Sequence, residues 1–173
     1  MNNIDNVTIQ KRLTENQKIF LSSLSNYIDD EIYLYGSISR IDYIPGKSDL
    51  DIDIFTDNEH SVIHKLCSFF HYKKDEFKKI VTKIDNRIIT GYKTKYENIE
   101  QNLQIEISIY NQKNKEIVMK QHNKAKDSSY IVLFLLYILK CLYYRLGIVS
   151  DETYKLLKNY LFHMKTEREY LIL

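Results

Sequence analysis

Two cysteines, one proline, four glycines and no tryptophan stand among 173 residues. Two cysteines cannot build a disulfide-stapled secreted scaffold. So little proline and glycine excludes collagen-like and Pro-rich architectures. Long apolar runs are missing too. The strongest, Ile131 to Leu139, is nine residues and ends at Lys140, whereas a membrane helix needs about 20. No membrane partner is expected. The opening MNNIDNVTIQ has neither the basic nor the apolar stretch of a secretory leader. Together these features point to a soluble protein of a reducing, cytoplasmic compartment. Neither charge sign dominates: 25 basic and 23 acidic residues leave +2. Net charge alone does not mark a nucleic-acid binder.

What is present is enough to fold. At 44% hydrophobic and 28% charged, the chain can bury enough apolar surface to offset its ordering entropy, which excludes a disordered regulator. The length suits one compact domain, or a small core with a helical extension. Ile, Lys, Asn and Tyr are abundant, with 15 Tyr. All four have A/T-rich codons, so base composition accounts for the tyrosines as a set.

Residues 1 to about 12 are polar and aperiodic, and are expected to fray. Thr14 and Gln17 form a capping-box pattern, and Phe20, Leu24, Tyr27 and Ile28 then share a helical face. A short strand from Ile32 to Tyr35 runs into Gly36. Residues 36–48 read as a loop with one helical turn. DLDIDIF alternates strictly, with Asp49, Asp51 and Asp53 on one side and Leu50, Ile52 and Ile54 on the other. A helix follows over about 58–72. Residues 77–84 are compatible with strand or helix. Residues 87–96 and 103–110 alternate and predict an antiparallel pair. A very apolar helix covers about 129–146, and a last one runs from Ser150 to about Lys165. The predicted fold class is α+β: a mixed sheet with helices on one face and a C-terminal helical pair.

Three aspartates at alternate positions of an apolar strand need a reason. Asp is a poor strand former, and carboxylates stacked on one face raise one another's pKa. A divalent cation between them removes the conflict, and magnesium takes carboxylate oxygens while keeping phosphates as further ligands. The competing reading is an acidic edge strand that resists aggregation, but edge protection is usually Lys-rich. Upstream, Gly36 lets backbone approach a ligand closely. Ser37 follows at what reads as a helix N-terminus, a seat for phosphate. Arg40 can fork onto phosphate oxygens.

The string GSISRIDYIPGKSDLDI resembles the signature of the DNA polymerase beta-like nucleotidyltransferase superfamily. That signature is an apolar residue, Gly-Ser, a spacer, then Asp-apolar-Asp/Glu-apolar. Leu34, Tyr35, Gly36, Ser37, Asp49, Leu50, Asp51 and Ile52 carry the match, and Ser48 before Asp49 looks like the Ser-Asp-x-Asp form of minimal nucleotidyltransferases. The resemblance implies a magnesium-dependent enzyme moving an NMP from a nucleoside triphosphate to an acceptor hydroxyl. It implies two Mg²⁺ ions, with Mn²⁺ an alternative, held by Asp49, Asp51 and a third carboxylate on a later strand. Glu106, between Gln104 and Ser108 on the polar side of LQIEISIY, is the candidate. Gly36, Ser37, Arg40 and Lys140 are candidates for binding the nucleotide. Asp51 and Asp53 also fit the metal-pair spacing, but Ser48 favours Asp49 and Asp51. The catalytic core is expected over 1–120 and a helical extension over 121–173. Three acceptors compete: a nucleic acid 3′ end, a small molecule, and a protein side chain or tRNA end. A non-catalytic nucleotide-binding partner protein is the remaining alternative.

Other patterns are weaker. His60, His64 and Cys67 share a helical face but lack a fourth metal ligand. Lys93 and Lys95 alternate with Tyr92 and Tyr96, a spacing compatible with a solvated hairpin or with nucleic-acid binding. Lys120, His122, Lys124 and Lys126 read as a cleft lining or a linker. Lys140, interrupting an apolar helix, either snorkels or reaches the triphosphate. Tyr137, Tyr144 and Arg145 lie near it and suit either packing or the frame of a nucleotide pocket. The basic run and the Lys/Tyr hairpin favour the nucleic acid among the acceptors.

Overall fold

A computed structural model describes residues 6–126, 129–163 and 170–172. The start is more ordered than its polarity suggests. A short helix α1 (Val7–Gln10) is capped by the Asn6 side chain, and Ile9 and Leu13 are buried. Arg12 donates Nη1 to the carbonyls of Ile38 (2.9 Å) and Arg40 (2.6 Å). From Asn6 onward the expected fraying is therefore corrected, because two apolar side chains and one guanidinium anchor the segment. Residues 1–5 lie outside the described residues.

Helix α2 (Glu15–Ile28) opens with the capping box read from the sequence. Gln17 donates its backbone N–H to Thr14 Oγ1 at 3.3 Å, and Thr14 returns its own to Gln17 Oε1 at 2.9 Å. It ends at Asp29, in the left-handed region at φ 53°. Leu21, Leu24 and Ile28 are fully buried, each contributing about 1.5–3 kcal/mol by area. Strand β1 (Ile32–Tyr35) follows, then a 3₁₀ turn over Gly36–Ser39, strand β2 (Leu50–Thr56) and helix α3 (Glu59–Phe70). The ambiguous segment is strand β3 (Lys78–Ile84), with Ile80, Thr82 and Ile84 buried and Lys79 and Lys83 exposed. Strands β4 (Arg87–Asn98) and β5 (Leu103–Asn111) form the expected antiparallel pair.

The sheet order is β1-β2-β5-β4-β3-β6, where β6 is Tyr170–Ile172. Among the described residues, β2 and β5 run parallel and every other pair is antiparallel. The α+β class with a mixed sheet stands as predicted. Leu50, Ile52 and Ile54 bury with Leu103, Ile105, Ile107 and Ile109 against α2 and α3.

The opposite face divides into two zones. In one, Tyr33, Phe55, Ile80, Ile84, Ile89 and Tyr110 pack under Val118. Val118 belongs to helix α4 (Lys115–Lys126), which the sequence presents as a basic run. Its apolar content is confined to the neighbourhood of Ile117, Val118 and Met119, so no helical period stands out. The other zone carries Asp51 and Glu106. The C-terminal pair is α5 (Tyr130–Tyr144) and α6 (Asp151–His163). Among the described residues, no helix is long and apolar enough to cross a membrane.

Candidate active site

The site begins where the first strand stops. Gly36 has φ +72°, a conformation glycine adopts without strain. It also lies against β2. A Cβ placed on it would overlap Oδ2 of Asp51 and stand 2.9 Å from its Cγ. The absence of a side chain at 36 therefore makes room for the Asp51 carboxylate. Ser37 follows, buried, in a turn of four residues only. The predicted helix N-terminus is thus a single 3₁₀ turn, with no helix dipole behind it.

Strand register brings the carboxylates together. On β2 and β5 Asp51 is paired with Glu106, and Asp53 with Ser108. Parallel pairing puts Asp51 and Glu106 on the same face as neighbours, about 5 Å apart at the backbone. Asp49 lies just before β2 and is exposed. Burial, then the Glu106 carboxylate, then that of Asp49 push the Asp51 carboxyl up to about 7. Lys158 of α6 and Lys93 of β4 work weakly the other way. Glu106 is drawn to two cations, with Oε1 at 2.5 Å from Lys93 Nζ and Oε2 at 3.6 Å from Lys95 Nζ.

This donor set suits a hard divalent cation, because it offers only carboxylate oxygens. The raised pKa of Asp51 reflects its burial first and the neighbouring carboxylates second. Among the described residues, no three His, Cys, Asp or Glu side chains already close into a cation cage. The same holds for the helical His60, His64 and Cys67: the two histidines are exposed and the cysteine half-buried.

Asp53 has a different environment. It is fully buried, and its Oδ2 lies 2.6 Å from His122 Nε2 of α4. Burial pushes its pKa up, against the pull of His122. The His122 ring stacks on Tyr35 with centroids 3.9 Å apart. Within the basic run, then, the one imidazole seals the aspartate that does not face Glu106. The sequence carried no signal for this pairing beyond the presence of a His among lysines.

Arg40 and Lys140 converge on a residue the sequence reading passed over. Asp42 is fully buried. Arg40 grips it with Nε at 2.8 Å and Nη2 at 3.0 Å. Lys140 reaches Oδ2 at 3.1 Å, the Asp42 carbonyl at 3.0 Å and Ser48 Oγ at 3.3 Å. Ser48 Oγ also accepts the Ile44 backbone N–H. Burial opposes ionisation of Asp42, yet Arg40 and Lys140 hold its carboxyl below the usual range. Burial likewise draws the Lys140 ammonium down, against the support of Asp42. Neither cation is directed at a phosphate seat as expected. Each meets a buried anion that a 13-residue loop folds inward, because an ammonium at 5% exposure needs a partner. The available signal was an Asp set among Ile41, Tyr43 and Ile44.

Tyr144 and Tyr154 flank this corner, with ring centroids 5.9 Å apart. Burial, Tyr144 and Asp49 push the Tyr154 hydroxyl far up, so it stays protonated.

The sequence matches the family model for the nucleotidyltransferase domain over residues 15–125. Among curated proteins none matches the chain. Two solved structures are similar to this chain. One is Cid1, described by its RNA terminal uridylyl transferase activity, at 13% identity over 83% of this chain and 52% of that one, with TM-score 0.35. The other is the GLD-2/RNP-8 complex, at 16% identity over 87% of this chain and 53% of that one, with TM-score 0.36. The chain spans about half the length of either. With the domain match covering well over half of its residues, from the capped α2 through the sheet to α4, the chain belongs to the nucleotidyltransferase domain family.

Proposed function

We propose that this chain moves a nucleoside monophosphate from a nucleoside triphosphate to an acceptor hydroxyl at a nucleic acid 3′ end. The observation that carries this reading is the register of Asp51 beside Glu106, with the bare Gly36 backbone pressed against Asp51. Asp49, Asp51 and Glu106 are the residues that would hold Mg²⁺, and Mn²⁺ has the same donor preference. When bound, such ions supply charge neutralisation on the phosphates and a lowered pKa for the acceptor hydroxyl.

The chain's own groups supply the rest. Glu106 is the carboxylate placed to take the acceptor proton. Gly36 keeps the Asp51 oxygens uncovered, and Ser37 offers a hydroxyl and an N–H to phosphate. Arg40 and Lys140 act at one remove, clamping the 36–48 loop through Asp42 and Ser48 so that Asp49 has a fixed position. Because Asp53 is taken up by His122, Asp49 rather than Asp53 is the partner of Asp51 in this reading. The expected boundary at 120/121 falls inside α4, so in this reading the catalytic core runs on through that helix, and α5 and α6 form the extension, whose Lys158 adds positive charge near Asp51.

The test is incubation with Mg²⁺ and each labelled NTP, with RNA, with DNA and without an acceptor. Labelled extension of an oligonucleotide is the expected product. Asp51→Asn is expected to abolish transfer while circular dichroism stays unchanged. Transfer retained in that variant refutes the assignment, and label on a small molecule or on protein alone refutes the nucleic acid acceptor.

A further inference from the structure

The carboxylate face continues across the sheet into lysines. Lys95 is paired with Glu106 across β4 and β5, and Lys93 with Ser108. Lys78 of β3 is in turn paired with Lys93. Residues paired across a sheet share a face, so Asp51, Glu106 and Lys95 form one row. Asp53, Ser108, Lys93 and Lys78 form the next. Tyr92 and Tyr96 point the other way: both pack against the helix-side core, and Tyr96 stacks on Phe20 and Phe70. The alternation of Lys and Tyr in the sequence thus separates by face. The lysines go to the carboxylates and the tyrosines to the core.

Lysines directly opposite one another destabilise a sheet, so the Lys78–Lys93 pair calls for a compensating anion. Glu106 provides one, at 2.5 Å from Lys93 and 3.6 Å from Lys95. Lys95 is largely exposed, its side chain at 78%, and Lys78 is exposed as well, so their ammonium groups face solvent beside the carboxylate rows. These lysines begin two strands away from Asp51, on β4, and run toward the β3 side of the sheet.

Resting on the function proposed above, we propose that Lys78, Lys93 and Lys95 form the track that holds the phosphate backbone of a single nucleic acid strand, its terminal hydroxyl directed at Glu106. Glu106 then has a second role: its carboxylate competes with acceptor phosphates for Lys93 and Lys95. The ligand chemistry is a row of phosphodiesters, which RNA and DNA share.

The probes are fluorescent single-stranded RNA and DNA 15-mers of mixed sequence. Anisotropy is measured on the full chain in EDTA across a salt series, so that no turnover is needed. The double variant Lys78→Gln/Lys95→Gln is expected to bind about tenfold more weakly, uniformly across sequences, with its salt slope reduced by about 1.4, since each phosphate contact on a single strand contributes about 0.7. Glu106→Gln is expected to bind about threefold more tightly, because the lysines lose their internal competitor. Unchanged affinity and salt slope in the lysine variant overturn the track, and no gain in Glu106→Gln overturns the competition. If RNA alone responds, the acceptor is RNA; if DNA alone, DNA. Lysine-dependent binding in a chain that transfers no NMP leaves the track standing and removes the enzymatic reading. Transfer that depends on Asp51, with indifferent lysines, does the reverse.

Discussion

Gly36 and Asp51 occupy each other's space: a methyl group on the glycine would overlap the aspartate Oδ2. The left-handed φ of +72° at Gly36 adds backbone strain to any replacement. Gly36→Ala is therefore expected to displace the carboxylate and to lower NMP transfer by about 100-fold or more, the scale at which misplaced groups act. The stability loss is expected to be smaller, about 1–3 kcal/mol. A urea titration beside a transfer assay separates the two effects. Full activity in the alanine variant would remove Asp51 from the site.

The Asp51 carboxyl at about 7, against an ordinary 3.8, sets a pH dependence. An acid whose folded pKa is raised holds its proton more tightly in the fold than in the unfolded chain. Its contribution to stability is present below about pH 4 and is lost as the pH climbs to 7. Metal-free protein is therefore expected to lose thermal stability across that window, and Asp51→Asn to flatten the decline. Melting curves from pH 4 to 8 in EDTA check this. Identical profiles in the two proteins would show that Asp51 titrates normally.

His122 and Asp53 make a buried pair at 2.6 Å. Removing one partner of such a pair leaves the other without compensation, at a cost of about 3–5 kcal/mol. His122→Ala is expected to approach that loss and to loosen α4, whereas His122→Gln keeps a donor and loses less. Hydrogen exchange of α4 amides provides the readout.

Asp42 stands between two cations, so its removal and theirs are not equivalent. Lys140→Met leaves Arg40 on the carboxylate and fills the same volume with an apolar chain. Asp42→Ala instead strands a buried ammonium. The second variant is expected to be the less stable by about 2 kcal/mol or more, measured by urea midpoint. A reversed order would mean that the Arg40 fork contributes little.

Local signals were readable where short-range chemistry decides structure. Thr14 and Gln17 announced a helix start that the structure forms bond for bond. The polar–apolar alternation of β2 and β5 announced both strands and the face of Glu106. What stayed hidden depends on residues far apart in the chain. Asp42 meets Lys140 across 98 positions and Asp53 meets His122 across 69, and no local pattern specifies either meeting. α4 was hidden for another reason: a helix with one strongly buried apolar side chain, Val118, leaves almost no periodic trace. The β3 ambiguity had a third cause. In the seven-residue run KKIVTKI, Ile80 and Ile84 are four apart and also share an alternate-residue face, so the run fits either period until a neighbouring strand selects one.

The grip of Lys140 on Asp42 and Ser48 has a consequence for where this molecule can be cut. The region matched to the family stops at residue 125, yet the ammonium that pins the loop ahead of Asp49 comes from α5. A fragment ending at that boundary would keep every carboxylate and lose the keystone beneath them. The trailing helices are in that sense scaffolding for the proposed chemistry, whose reactive groups all lie upstream.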